Sequence, residues 1–261
     1  SKADLYPAKY FLENNSRKLR VSQFTANEFI YDTPAWVGEN TVVISASLGG
    51  KTPETVRANA VAKEKKAHVG TLTMSEGSPL TRDADDVIVH RFSENYAAKL
   101  EKMGYALALA VELLQQTEGY ADYDKMIAGF DRIYDHAQKS AESTRRFAAE
   151  FAQAYKDAPV IYVMSSGASM EVAYSTSICL MMEMQWINSG YFHSGEFFHG
   201  PFEIVDKDVP FVLMMNDGPT RALDARALTF LERFEAQTTV IDALDFGISS
   251  VIAKEVVGYF N

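Results

Sequence analysis

The stretch Thr41-Val42-Val43-Ile44-Ser45-Ala46-Ser47-Leu48-Gly49-Gly50-Lys51-Thr52-Pro53-Glu54-Thr55 decides the fold. Its first six residues are short, rich in β-branched side chains and nearly continuous in apolar character, the pattern of a buried strand. Residues 47–52 supply a turn, and Pro53 suits the first helical position, where its missing N–H costs nothing. The helix runs to about Lys66. His68-Val69-Gly70-Thr71-Leu72-Thr73-Met74 reads as the next strand and Val87-Ile88-Val89-His90 as a short further one. Repeated strand–helix units of this kind imply a parallel, doubly wound α/β sheet.

Further along, residues 93–118 and 123–155 are dominated by helix formers and contain no proline. They predict two long helices that link a first unit to a second, or that pack against a partner subunit. The strand–helix rhythm then restarts. Pro159-Val160-Ile161-Tyr162-Val163-Met164 is a strand, Ser165-Ser166-Gly167-Ala168-Ser169 a loop of small residues, and 170–186 a helix. Two more strands, at 209–215 and 238–242, flank a helix at 220–234. Strand, Ser/Gly loop and helix thus occur twice, at Ser47 and near Ser165. The expected organisation is a first unit over 1–92, a helical connector over 93–155 and a second unit over 156–261. Both ends read as cut through structure. Ser1 leads almost directly into a helical pattern over 3–12, and the amphipathic stretch 251–260 runs up to Asn261.

Composition excludes several classes. Of 261 residues, 47% are apolar and 12% aromatic, enough to build a core and to exclude global disorder. The 35 acidic residues outnumber the 25 basic ones, for a formal charge of −10. A nucleic-acid binder would show the opposite balance and clustered Lys/Arg, so no nucleic-acid partner is expected. The longest apolar stretch, 178–187, carries Glu183 and Gln185 and is too short to span a bilayer. Cys179 is the lone cysteine, which fits a reducing cytosol, and no signal peptide is visible at the start. The expectation is a cytoplasmic protein away from membranes.

Three places offer chemistry. The loop 47–52 lies between a strand's carboxyl end and a helix N-terminus, where free N–H groups and the helix dipole favour an anion. Gly49 and Gly50 permit close backbone approach, and Ser47 and Thr52 add hydroxyls. The spacing is neither that of a P-loop nor that of a dinucleotide fingerprint. On its residues alone the loop is either a phosphate-monoester site or an ordinary capped turn. Glu183 sits on a helix apolar nearly all round, so its carboxylate is expected to lose hydration and rise in pKa towards a general base. The other reading is a buried Glu paired with an Arg or capping a neighbouring helix. Third comes His193-Ser194-Gly195-Glu196-Phe197-Phe198-His199-Gly200-Pro201. Here Ser194 reads as an N-cap, Gly200-Pro201 as the end of a short helix, and Glu196 as a residue able to orient the His199 imidazole. An exposed turn with a solvated His fits as well. Neither His193 nor His199 shows metal-ligand spacing with Asp, Glu or Cys, so no metal is expected. No Gly-x-Ser-x-Gly elbow follows a strand, which disfavours a serine hydrolase.

Taken together, 47–55, 166–183 and 194–204 resemble the sugar isomerase (SIS) domain family. Ser-Gly-Glu-Phe-Phe-His-Gly-Pro-Phe-Glu-Ile at 194–204 is similar to the His-Gly-Pro signature of glucosamine-6-phosphate synthase isomerase domains and their deglycase relatives. Leu113-Leu114-Gln115-Gln116-Thr117-Glu118-Gly119-Tyr120 and Met182-Glu183-Met184-Gln185-Trp186-Ile187 extend the likeness to the deglycases over essentially the whole chain. The resemblance implies two flavodoxin-like SIS units acting on an Amadori sugar phosphate, such as 6-phosphofructose-aspartate. Ser47, Gly50 and Thr52 fall on the family's phosphate loop. Ser1 falls on the serine that ends the first strand's Gly-rich loop. Ser166, Gly167 and His193 are expected at the substrate, Glu183 as the catalytic base and His199 as the catalytic histidine. In relatives that histidine reaches the site from the neighbouring subunit, so a homodimer with a shared site is implied, with no cofactor.

Two departures stand out. The usual Ser-x-Ser-Gly-x-Thr loop reads Ser47-Leu48-Gly49-Gly50-Lys51-Thr52 here, with one hydroxyl fewer. The family's first strand and basic C-terminal tail are missing from the sequence. An aldose–ketose phosphate isomerase would share the same residues. A sugar-phosphate-sensing regulator would need a helix-turn-helix module, and this acidic chain shows none. In the fructoselysine branch the residue before Ser-Gly-Glu-Phe is acidic. His193 stands there in this chain and suits an acidic amine, aspartate before lysine.

Overall fold

Residues 2–261 are described by a computed structural model in which the chain divides into two units that meet in sequence at Gly119 and Tyr120. Ser1 lies outside the described residues. In the first unit the strand read at 41–46 forms as β1 (Val42–Ala46), followed by β2 (His68–Thr73) and β3 (Asp86–Val89). All three are parallel in the order β1-β2-β3, with Val42 opposite His68 and Gly70 opposite Asp86. Side chains alternate across the sheet, so each strand serves two cores. Val43 and Val69 pack with Phe29, Ala58, Val61 and Ala62 from α2 (Ala26–Tyr31) and α3 (Pro53–Glu64). Ile44, Ala46 and Leu72 pack on the other side with Leu5 and Ala8 of α1 (Lys2–Asn15) and Ala106 of α4 (Tyr96–Thr117). Helices on both faces make this a doubly wound unit.

The second unit repeats the design with β4 (Val160–Ser165), β5 (Asn188–His193), β6 (Pro210–Met215) and β7 (Gln237–Asp242), all parallel in the order β5-β4-β6-β7. Met164, Phe211, Leu213 and Met215 face one core with Ala227 and Leu231 of α8 (Arg221–Arg233). Ile161, Val163 and Val212 face the other, with Ala173 of α7 (Met170–Ser175) and Met181. Connections leave β4 towards β5 and β6 towards β7. The winding therefore reverses between β4 and β6, which makes their carboxyl ends a topological switch point.

Four local readings are corrected. The helical stretch 123–155 is broken at Thr144 into α5 (Tyr123–Ser143) and α6 (Arg145–Tyr155). Thr144 Oγ1 donates back to the carbonyls of Ser140 and Ala141, a bond that bends helices. The helix at 170–186 is α-helical only to Ser175 and winds as a π-helix over Thr176–Met184. Residues 188–193, unassigned from sequence, are the edge strand β5. Ser194 is not an N-cap: its N–H donates to Ser165 O at 2.8 Å, extending the strand ladder, and a 3₁₀ turn at Phe197–His199 begins after Glu196. α4 lies in the first unit, and α5 and α6 lie in the second.

Candidate active site

In the first unit, the loop after β1 is fixed from below. Ser47 N–H donates to Leu72 O at 3.1 Å, Met74 N–H to Leu48 O at 2.9 Å, and Leu80 N–H to Gly50 O at 3.0 Å. Ser47 is buried, and its Oγ lies 2.8 Å from Thr52 Oγ1. Thr52 occupies the N-cap of α3 without capping it by its side chain, which leaves N–H groups of the first turn free for an anion. Gly50 has φ +62°, and a Cβ there would lie 2.0 Å from Ser78 Oγ. Ser78 Oγ is itself buried without a hydrogen-bond partner among the described residues. Gly49 has open space around the place of its missing Cβ. Ser47, Gly50 and Thr52 thus share one loop with the form of an anion cradle. Ser78, which sequence reading passed over in a Ser-Pro turn, closes its floor.

In the second unit, the turn after β5 is anchored by Phe197. Its ring is fully buried, edge-on to Phe198 at 5.2 Å, Phe230 at 5.7 Å and Phe211 at 6.4 Å. Arg226 lies 3.9 Å over the Phe198 ring. With Phe197 held inward, Glu196 and His199 lie exposed. Gly200, at φ +150°, lets the chain turn into Pro201. His193, Glu196 and His199 line one cleft of ≈ 450 Å³ with Met170, Tyr191, Phe192 and Pro201. Gly195 N–H donates to His193 Nδ1 at 3.0 Å. A nitrogen that accepts carries no proton, so neutral His193 bears its hydrogen on Nε2. Glu196 and His199 are joined by a backbone bond, His199 N–H to Glu196 O, at 2.9 Å.

Glu183 is not among the residues lining this cleft. It lies exposed on the π-helical stretch, whose buried face is made by Thr176, Ser177 and Met181, while Met184 is 65% and Trp186 89% exposed. The expectation of a carboxylate desolvated within its own helix is therefore corrected. The stretch presents one face to the sheet and leaves the other bare.

Ser166 and Gly167 lie at the switch point, within the unit rather than at its surface. Ser166 Oγ donates to Thr220 O at 3.3 Å and accepts from Asn216 Nδ2 at 3.0 Å. Asn216 Nδ2 also reaches Asp224 Oδ2 at 2.6 Å. Burial pushes the Asp224 carboxyl above its ordinary value, against the two hydrogen bonds from Asn216 that favour its charge. Next to it, Arg221 grips Asp242 with two bonds of 2.7 and 2.5 Å and holds that carboxyl below the usual range. Sequence reading missed Asn216 and Asp224, which lie in the loop after β6 and in the first turn of α8. Among the described residues no group of three or more His, Cys, Asp or Glu could hold a metal, and no helix is long and apolar enough to cross a membrane.

A family model described as the SIS domain matches residues 17–114. The fructosamine deglycase of Bacillus subtilis is 38% identical over 96% of this chain and 76% of its own length. The fructoselysine 6-phosphate deglycase of Escherichia coli is 27% identical over 86% of this chain, which spans 65% of that protein. A solved structure from Salmonella typhimurium, described as a candidate phosphosugar isomerase, superposes with a TM-score of 0.96 at 42% identity, covering all of this chain and 78% of that one. The C-terminal domain of the glucosamine-fructose-6-phosphate aminotransferase of Francisella tularensis shares the fold at 18% identity, with a TM-score of 0.82. Parallel sheets, a Ser/Gly loop at a helix N-terminus and the His-Gly-Pro turn agree with these likenesses, and the chain belongs to the SIS family, among its phosphosugar deglycases.

Proposed function

We propose that this protein hydrolyses a phosphorylated Amadori compound, 6-phosphofructose-aspartate, to glucose 6-phosphate and aspartate. The observation that carries the reading is the cleft lined by His193, Glu196 and His199 in a chain 38% identical to a fructosamine deglycase. A 1-amino-1-deoxyfructose 6-phosphate must lose a proton from C1 and gain one at C2. The product is an imine between C1 and nitrogen. Water adds at C1, the C–N bond breaks, and the amine leaves with the aldehyde of glucose 6-phosphate behind it. One carboxylate base, Glu183, and one imidazole acid, His199, suffice for the proton transfers. The loop of Ser47, Gly50 and Thr52 is the proposed holder of the phosphate, which takes no part in the proton transfers. Cleft-lining His193 offers an Nε2–H donor that suits the aspartate carboxylate better than a second acidic group would.

The reading takes the active unit to be a homodimer in which Glu183 and His199 come from different copies. Its test is incubation of the protein with 6-phosphofructose-aspartate and with 6-phosphofructose-lysine, followed by assay of glucose 6-phosphate and free amino acid. Release of both products, faster from the aspartate compound, is expected. A preference for the lysine compound would sink the amine assignment, and His193→Glu should narrow or reverse the ratio. Two solved relatives described as candidate phosphosugar isomerases favour a second reading, aldose–ketose isomerisation. Interconversion of sugar phosphates without release of amine would support that one instead.

A further inference from the structure

The proposed phosphate loop of the first unit, residues 47–52, takes its shape from contacts beneath it. Its first half is tied to β2, where Ser47 N–H donates to Leu72 O and Leu48 O accepts from Met74 N–H and from Thr73 Oγ1. Gly50 O is tied elsewhere, to Leu80 N–H at 3.0 Å. Leu80 sits in a 3₁₀ turn, Pro79–Thr81, that returns under the loop. That turn is held by the buried Leu80 side chain and by a polar tie from α3. Asn59 Nδ2 donates to Leu80 O at 3.0 Å and to Thr71 Oγ1 of β2 at 2.9 Å. Thr71 Oγ1 in turn lies 2.7 Å from Ser45 Oγ of β1. One amide group thus joins the turn to the helix and to the sheet.

Asn59 is 1% exposed, within a helix whose buried face is otherwise Ala58, Val61 and Ala62. Asparagine is a poor helix former, and a buried amide is costly wherever its polar atoms go unbonded. Its Oδ1 closes no hydrogen bond among the described residues. Packing alone would favour an apolar residue there, so the amide is kept for its two donors. Leu80 O can only accept, which requires the Asn59 nitrogen and not the oxygen to face it.

We infer that Asn59 is a positioning residue, which holds Gly50 and the loop of residues 47–52 in place through the Leu80 turn. Ser78, whose Oγ lies against Gly50, and Leu80 flank Pro79, so a turn that slips carries away both the floor and the Gly50 tie. Asn59 itself touches no substrate. The kinetic consequence rests on the deglycase reading and its phosphate site, whereas the link from Asn59 to Gly50 rests on geometry alone.

The test uses the full chain with two variants, each checked for a cooperative melt. Asn59→Leu keeps the branching of the side chain and removes both donors. Thr71→Val removes the sheet-side partner and leaves Leu80 O its donor. Amide exchange is followed by NMR, and kcat and KM are measured with 6-phosphofructose-aspartate. In Asn59→Leu the Leu80 amide should exchange about tenfold faster relative to that of Ser47, whose bond to Leu72 O does not pass through Asn59. KM should rise about tenfold with kcat within about twofold, as when binding is lost equally from ground and transition state. Thr71→Val should lower the melting temperature and leave KM and the Leu80-to-Ser47 exchange ratio within about twofold of wild type. A folded Asn59→Leu with unchanged Leu80 exchange would overturn the inference. So would a faster Leu80 amide with KM unchanged, or an equal rise in KM from Thr71→Val, which would mark a general loss of stability. Should Asn59→Leu fail to fold, Asn59→Ser, too short to reach Leu80 O, decides by the same readouts. The phosphate site is judged apart, by titrating wild type with glucose 6-phosphate. If no amide between Ser47 and Thr55 shifts, that reading fails, while Leu80 exchange still decides whether Asn59 holds the loop.

Discussion

Gly50 concentrates the logic of the proposed phosphate loop in one residue. Its φ of +62° is a conformation that L side chains rarely adopt, and Ser78 Oγ lies 2.0 Å from where a Cβ would stand. Gly50→Ala should therefore destabilise the protein by roughly 1–3 kcal/mol, read from chemical denaturation. Because the loop must open to relieve the clash, KM for a 6-phosphate substrate should rise more than kcat falls. An unchanged KM in a folded variant would move the phosphate elsewhere. The tight turn at Gly50 was legible from sequence, since Gly-Gly between a strand and a Pro-initiated helix marks a turn that needs a positive φ. Ser78 was not. Its part depends on a loop 28 residues further on folding back beneath Gly50, and no local pattern marks that return.

At the scale of elements, the polar clamp between α8 and β7 predicts an acid-side dependence. Arg221 bonds both oxygens of Asp242, and Leu244 N–H adds a third bond, so the folded pKa lies below the ordinary 3.8. The unfolded chain then binds more protons than the native one in that range, and stability falls as the pH falls. Wild type should exceed Arg221→Met by about 2 kcal/mol at pH 7. That difference should hold above pH 3.8 and shrink as the pH drops through and below it. Melting temperatures of both proteins across this range check the sign, and a gap that widened in acid would refute the assignment. The strands that sequence reading found are those with apolar runs serving two cores. It missed β5, whose Asn188-Ser189-Gly190-Tyr191-Phe192-His193 carries no apolar run, because an edge strand buries only part of itself. The π winding over Thr176–Met184 escaped for a different reason. Apolar residues surround the segment almost evenly, so the sequence carries no period from which a change of pitch could be read.

At the scale of the molecule, the bare face of that π-helical stretch raises the question of what covers it. Leu180, Met182, Met184 and Trp186 are all exposed in the single chain. Trp186 is held at φ +59°, in the left-handed region where glycine is the usual residue at a helix end. A tryptophan there costs about 1–2 kcal/mol in the isolated chain, and burial against a second copy would offset it. Trp186→Gly should accordingly leave the subunit as stable or more so while weakening self-association, measured by sedimentation over a dilution series. Tighter association in the variant would exclude this face from the interface.

Glu183 lies on the same face, apart from the cleft that holds His193 and His199. On the shared-site reading, the carboxylate of one copy works with the imidazole of another. Glu183→Gln keeps shape and removes basicity, so turnover should fall by roughly 10² to 10⁴. His199→Ala alone should be similarly impaired. Mixing the two inactive proteins under conditions of subunit exchange should restore activity, because a mixed dimer pairs the intact glutamate of one chain with the intact histidine of the other. With random exchange about half of all dimers are mixed, and each carries one intact site of two, so recovery should approach about a quarter of wild type. Exchange is verified independently with differently tagged copies. If mixed dimers form and stay inactive, Glu183 and His199 serve one site within a single chain, and the exposed face belongs to some other contact.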